Sequence, residues 1–135
     1  MTKLLIINAS YKSNGVSSQV ASLLKDHLLQ KGTEFEVINL KDKNLLYCTN
    51  CRTCTQVQSS KPQMCILEDD FNAIVKQLES AQRFIFITPT NFYSVTALFK
   101  TFQERLIVYA YFPWGAQAPK YRKTKRTKKA LLISS

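Results

Sequence analysis

The stretch Asn8-Ala9-Ser10-Tyr11-Lys12-Ser13-Asn14-Gly15-Val16-Ser17-Ser18-Gln19 follows an apolar run, Leu4–Ile7, and leads into an apolar pattern with helical spacing. It is rich in hydroxyls and amides and holds one lysine and one glycine. It contains no carboxylate, and the first acid of the chain is Asp26. An apolar strand, a polar turn and an amphipathic helix in that order are the start of a β-α-β unit.

The rest of the chain repeats the alternation. Lys3–Asn8 reads as a buried strand. Ser17 or Ser18 can cap a helix whose Val20, Leu23, Leu24 and Leu28 share a face. Lys31-Gly32 ends that helix, and Glu34–Leu40 alternates as strand two. A long connection, 41–67, has no clean periodicity and holds every cysteine. Loops of that length inside a domain are usually functional or mobile. Glu68-Asp69-Asp70 places acids at a helix start, ahead of Phe71, Ile74, Val75 and Leu78. Arg83–Thr88 is strand three, closed by Pro89. Ser94 opens a third helix with Val95, Leu98, Phe99, Phe102 and Leu106 inward. Ala130–Ile133 is a fourth strand.

Strands separated by helices imply a parallel sheet covered on both faces, an α/β fold. In such sheets ligands sit beyond the carboxyl ends of the strands, at the switch point between strands one and three. The opening stretch and Thr88–Ser94, "TPTNFYS", both end there. A carboxylate-free loop entering a helix N-terminus suits an anion. Walker A and G-x-G-x-x-G patterns are absent, so a single terminal phosphate fits better than a pyrophosphate. The alternative is an ordinary polar turn with a capping serine.

At 135 residues, with 45% apolar and 21% charged residues, the chain reads as one domain, 1–135, with a genuine core. Neither a membrane span nor a signal-peptide pattern is evident, and a cytoplasmic protein without membrane association is expected. The net charge of +10 is uneven. The segment 120–129 carries seven basic residues and no acid, and the remainder is only about +3. No reading module accompanies that segment, so it is taken as solvated, or as a lure for anionic phosphates, rather than as a nucleic-acid site. His27, the only histidine, reads as a surface helix residue.

"KLLIINASYKSNGVSSQVASLL" resembles the start of flavodoxin-like NAD(P)H-dependent FMN reductases, whose pattern after strand one is roughly G-S-P-R-x-x-G-N-[ST]. Ala9, Tyr11 and Ser17 depart from the usual Gly, Pro and Asn. "TPTNFYSVTALFKTFQERL" is similar to the family's T-P-V-Y-x-x-S-x-[ST]-x-x-L-K-x-F-x-D-R. The resemblance implies a flavodoxin-like three-layer α/β/α fold. It implies FMN contacts at Ser10, Lys12, Val16, Ser17 and Ser18, and ring contacts at Pro89, Thr90, Asn91, Phe92, Tyr93 and Ser94. It also implies NAD(P)H as electron donor and a small acceptor such as a quinone, a flavin or ferric iron. No catalytic side chain is assigned, because the flavin supplies the chemistry.

Cys48-x2-Cys51-x2-Cys54-x10-Cys65 resembles the iron–sulfur branch of this family, which implies a 4Fe–4S cluster on these four cysteines and an electron-carrier role. Three thiolates at x2 spacing can reach three corners of a cube. Zinc fits less well, and small loop residues at a subunit interface are the plainer reading. A flavodoxin-like sheet has five strands in the order 2-1-3-4-5, and only four can be counted, so the expectation is a chain that lacks the last strand or has its site completed by a second chain. That leaves an open edge and predicts a homo-oligomer through it or through the cysteine loop. A shortened chain that no longer holds FMN is the remaining alternative.

Overall fold

The computed structural model describes residues 3–122 and 127–135. Part of the basic segment, 123–126, lies outside them. The expected order of elements is present. β1 (Leu4–Asn8), α1 (Val16–Gln30), β2 (Phe35–Asn39), α2 (Phe71–Ser80), β3 (Arg83–Thr88) and α3 (Ala97–Arg105) follow in turn. Then come two short strands, β4 (Ala110–Tyr111) and β5 (Lys120–Tyr121), and finally β6 (Lys129–Ser134).

β2, β1, β3 and β6 form one parallel sheet in that order. The side-chain alternation of the strands divides the core. Leu4 and Ile6 of β1 join Ile85 and Ile87 of β3 beneath Ala21, Leu24 and Leu28 of α1. Leu5, Ile7 and Phe84 face the other way, onto Ile74, Val75 and Leu78 of α2 and onto Phe99 and Phe102 of α3. β1 is buried over its whole length because both faces are covered, which is why its sequence is a continuous apolar run. The result is the three-layer α/β/α arrangement expected from the sequence.

Several details differ. Leu23 is exposed, and the inward row of α1 runs through Ser17, Ala21, Leu24 and Leu28. Helical spacing allowed two adjacent rows, and the sheet meets only one. Gly15, not a serine, is the N-cap of α1, with no side-chain capping bond. Thr96, not Ser94, caps α3, its side chain accepting from Phe99 N–H. β4 and β5 form an antiparallel hairpin where the sequence showed only a connection. The basic segment is not simply solvated either. Arg122 is buried and donates to the carbonyls of Cys54, Val57, Ser59 and Val108, tying the hairpin to the cysteine loop. Lys128 Nζ donates to the carbonyls of Leu78 (2.6 Å) and Ala81 (2.8 Å) at the end of α2, where a cation complements the helix dipole.

β6 ends the sheet among the described residues, and Leu131 and Leu132 are 54% and 56% exposed. No helix among the described residues is long and apolar enough to cross a membrane.

Candidate functional site

The loops after β1 and β3 meet at the carboxyl edge of the sheet, as the topology requires. Ala9 N–H donates to Ile87 C=O at 2.8 Å, and Thr96 Oγ1 donates to Ala9 C=O at 3.1 Å. Thr96 N–H in turn donates to Thr88 Oγ1. Tyr11 adds a second tie: its hydroxyl accepts from Leu98 N–H at 3.0 Å, in the first turn of α3.

Between the loops lies a cleft of about 490 Å³, within the ~300–1,000 Å³ range of small-molecule sites. Ser10, Tyr11, Lys12, Gly15, Val16 and Ser17 line one wall, and Pro89, Asn91 and Ser135 the other. No acidic side chain is among the described lining residues.

The serines shape the loop rather than all pointing into the cleft. The hydroxyls of Ser10 and Ser18 both donate to Lys12 C=O, and Lys12 N–H donates back to Ser10 Oγ. Ser17 Oγ shares a 2.7 Å hydrogen bond with Ser135 Oγ. This explains why neither serine caps α1. The helix ladder starts with Gln19 N–H on Gly15 C=O (3.0 Å), so the N–H groups of Val16, Ser17 and Ser18 lie ahead of it at the positive end of the dipole. The side chain of Lys12 is exposed beside them.

In the second loop, Thr90 N–H donates to Ser135 C=O at 2.7 Å, and Thr90 Oγ1 pairs with Ser134 Oγ. Ser94 closes a tight turn with Asn91. Phe92 and Tyr93 stand at its tip and face solvent. Sequence patterns gave no sign of Ser134, at the end of β6, of Ser135 just after it, or of Tyr11 as a strut. The same holds for Lys41, whose ammonium donates to Ser13 Oγ from beyond β2. Nothing local in the sequence marks these partners.

The four cysteines come together around a second, small cavity of about 10 Å³, bordered also by Arg52, Leu67, Arg105 and Val108. Asn72 fixes Cys65 from α2 through two 2.9 Å bonds to its backbone. Arg52, in a left-handed conformation (φ 58°), lies over the rings of Phe112 (3.7 Å) and Trp114 (4.3 Å). Burial, and then the neighbouring thiols, push the Cys54 thiol up, whereas hydrogen bonds from Thr53 draw the exposed Cys51 thiol down. All four thiols are free. A cavity of this size has room for about one water, and no three potential ligands among the described residues are arranged to hold a metal ion. The donor set suits an iron–sulfur cluster; the closed cavity does not.

Beneath the cysteines, Arg105 and Asp69 form a fully buried, two-pronged ion pair (2.7 and 3.0 Å), and Arg105 also donates to Leu46 C=O. Burial raises the Asp69 carboxyl, but hydrogen bonds from Arg105 and from the N–H groups of Leu46 and Phe71 outweigh it and hold it below the usual range.

A sequence profile described as NADPH-dependent FMN reductase matches residues 2–133. An iron-sulfur flavoprotein of Archaeoglobus fulgidus is 30% identical over 108 residues, covering 80% of this chain and 46% of that protein. An iron-sulfur flavoprotein of Methanocaldococcus jannaschii is 27% identical over 103 residues, covering 76% and 51%. The chain spans about half the length of the curated relatives it matches. Among solved structures, an NAD(P)H:quinone oxidoreductase from Methanothermobacter marburgensis superposes with a TM-score of 0.74 at 17% identity, covering 98% of this chain and 66% of that one. An FMN-dependent NADH-azoreductase from Bacillus anthracis, in complex with FMN, gives 0.69 at 16% identity, covering 99% and 68%. These neighbours share the flavodoxin-like fold.

Proposed function

Because the chain belongs to the NADPH-dependent FMN reductase family, we propose that its cleft holds FMN and passes electrons from NAD(P)H to a small acceptor. The observation that carries this reading is the meeting of the two loops around one cleft lined by Lys12 and by the first turn of α1, with its N–H groups ahead of the helix ladder. That donor set fits a phosphate dianion. Tyr11, Val16 and Pro89 give the same cleft an apolar part that fits a flat ring.

When bound, FMN supplies two-electron transfer between a nicotinamide and an acceptor. The chain's own residues bind and orient. Lys12 and the first turn of α1 neutralise the phosphate. The backbone of 90–94, held by Ser134 and Ser135, offers polar groups to the ring edge. The open side of the cleft admits donor and acceptor in turn. No side chain is assigned a proton-transfer role. The named activities of the quinone reductase and azoreductase neighbours favour a small organic acceptor. Adding excess FMN to the purified protein tests the reading: a yellow, flavin-bound species that NADPH bleaches supports it, and colourless protein after gel filtration removes it.

The second reading is an electron carrier. It is favoured by the four cysteines around one cavity, together with relatives that are iron-sulfur flavoproteins. The thiols would have to open the cavity to accept a cluster. About four iron and four sulfide per chain in protein purified without oxygen would support it; their absence would leave the reductase reading alone. As partner we propose a second copy of the chain, meeting at β6, the sheet edge among the described residues, or at the cysteine loop.

A further inference from the structure

Between its first three cysteines the chain twice adopts a backbone that its residues disfavour. Asn50 (φ 55°), between Cys48 and Cys51, and Arg52 (φ 58°), between Cys51 and Cys54, both lie in the left-handed region. Such conformations persist only where the surroundings hold them. Arg52 is held on the rings of Phe112 and Trp114, and its Nη2 donates to Phe112 C=O at 2.5 Å. The short 3-10 helix Thr53–Thr55 follows, with Thr55 N–H on Arg52 C=O at 3.0 Å. Cys51 and Cys54 thereby border the same cavity from unlike positions: Cys51 is exposed, and Cys54 is buried.

That cavity resists the cluster its donor set suggests. At about 10 Å³ it has room for about one water, far less than a 4Fe–4S cube needs. Opening it means displacing backbone that is anchored from outside the loop. Arg122 Nη2 holds Cys54 C=O at 3.1 Å, and Asn72 holds both the N–H and the C=O of Cys65. A sulfur–sulfur bond adds no atom to the cavity and needs no such opening.

We propose that Cys51 and Cys54 form a dithiol–disulfide site, oxidised by hydrogen peroxide and restored by a small thiol. The site stands apart from the FMN cleft and does not depend on flavin binding. Cys51, the exposed thiol, is the one a dissolved oxidant reaches. Its S–H and one peroxide give the sulfenic acid Cys51–SOH and water. Cys54 S–H then attacks that sulfur, the S–S bond forms, and a second water leaves. Both thiols are oxidised and the peroxide is reduced to water. Exchange with a small thiol, which becomes its own disulfide, returns both S–H groups. Cys54 is the resolving partner because it lies buried at the same cavity, one short turn further on. The sulfur of Cys48 instead accepts Asn50 N–H at 3.4 Å within its own turn. Cys65 belongs to a separate segment fixed to α2 by Asn72.

The test uses the full chain, purified and reduced without oxygen. One portion is incubated with ferrous iron and sulfide and passed through gel filtration; no iron should be retained. A second portion receives one equivalent of hydrogen peroxide. Two of the four free thiols should be lost, and dithiothreitol should restore them. Trypsin cuts after Arg52, between the two cysteines, so the bond should appear in the mass spectrum as two joined peptides that separate on reduction. Cys51→Ser, at an exposed position, should lose no thiols to peroxide. Cys54→Ala should stop at a sulfenic acid that dimedone labels on Cys51. Cys48→Ser and Cys65→Ser should still form the bond. Should Cys54→Ala fail to fold, the peptide map and Cys51→Ser decide alone. Iron retained at about four per chain overturns the proposal. So does a bond through Cys48 or Cys65, a bond between two chains, or a thiol count that peroxide leaves unchanged.

Discussion

Ser17 and Ser135 stand 118 positions apart in sequence, yet their hydroxyls share a 2.7 Å hydrogen bond at the back of the cleft. The contact joins the first turn of α1 to the residue that follows β6, so that strand helps to fix the helix terminus that would face a phosphate. Ser135 also receives Thr90 N–H, which couples both loops to that strand. The proposed anion site is therefore a tertiary construction, and its parts can be tested separately.

Val16 lies exposed in the first turn of α1, on the wall of the cleft. Val16→Asp puts a carboxylate where the dipole favours one, and should leave stability unchanged or raise it by about 0.5 kcal/mol. The same charge repels a phosphate, so FMN affinity should fall at least about tenfold. Parallel melting and FMN titration separate the two effects; a simple polar turn without a ligand would show only the first.

Thr96 caps α3 and donates to Ala9 C=O, holding the two loops together. Thr96→Ala should cost about 2 kcal/mol in urea unfolding, from the lost cap and an unsatisfied buried carbonyl. FMN affinity should drop with it, because the cleft depends on the same bond.

Asp69→Asn leaves Arg105 charged and buried without its partner, and should cost about 3–5 kcal/mol. The pH dependence follows from the depressed carboxyl. Its folded-state pKa lies below the unfolded value of about 3.9, so its contribution is complete above that value. It is lost as pH falls through the folded-state pKa. Stability measured from pH 6 downward should decline steeply in the acid range for the wild type, and with a shallower slope for the variant.

β6 is the edge of the sheet among the described residues and exposes Leu131 and Leu132. Small-angle scattering should give a mass above that of one chain, and Leu132→Lys should shift it toward the monomer. A monodisperse wild-type monomer would contradict this.

Much of this architecture could be read from periodicity. Arg83–Thr88 was legible to the residue because a continuous apolar run ends at Pro89. The convergence of the first and third loops followed from a parallel sheet. What was not legible depends on partners distant in sequence. Serine next to a helix start suggests a cap, but Lys12 C=O and Ser135 take the hydroxyls. The face of α1 was ambiguous at Leu23 because two rows satisfy helical spacing. The β4–β5 hairpin consists of two-residue strands stabilised from outside, by Arg122 beneath them, and so leaves no pattern. The basic segment looked uniform, yet burial of Arg122 and the placement of Lys128 are decided by carbonyls elsewhere in the chain.

The most direct test is a paired titration of the protein with FMN and with riboflavin, which differ only in the phosphate. If the first turn of α1 and Lys12 grip that phosphate, FMN should bind at least about 30-fold more tightly, and 0.5 M salt should narrow the gap. Equal affinity for the two flavins, or no binding of either, would contradict the account.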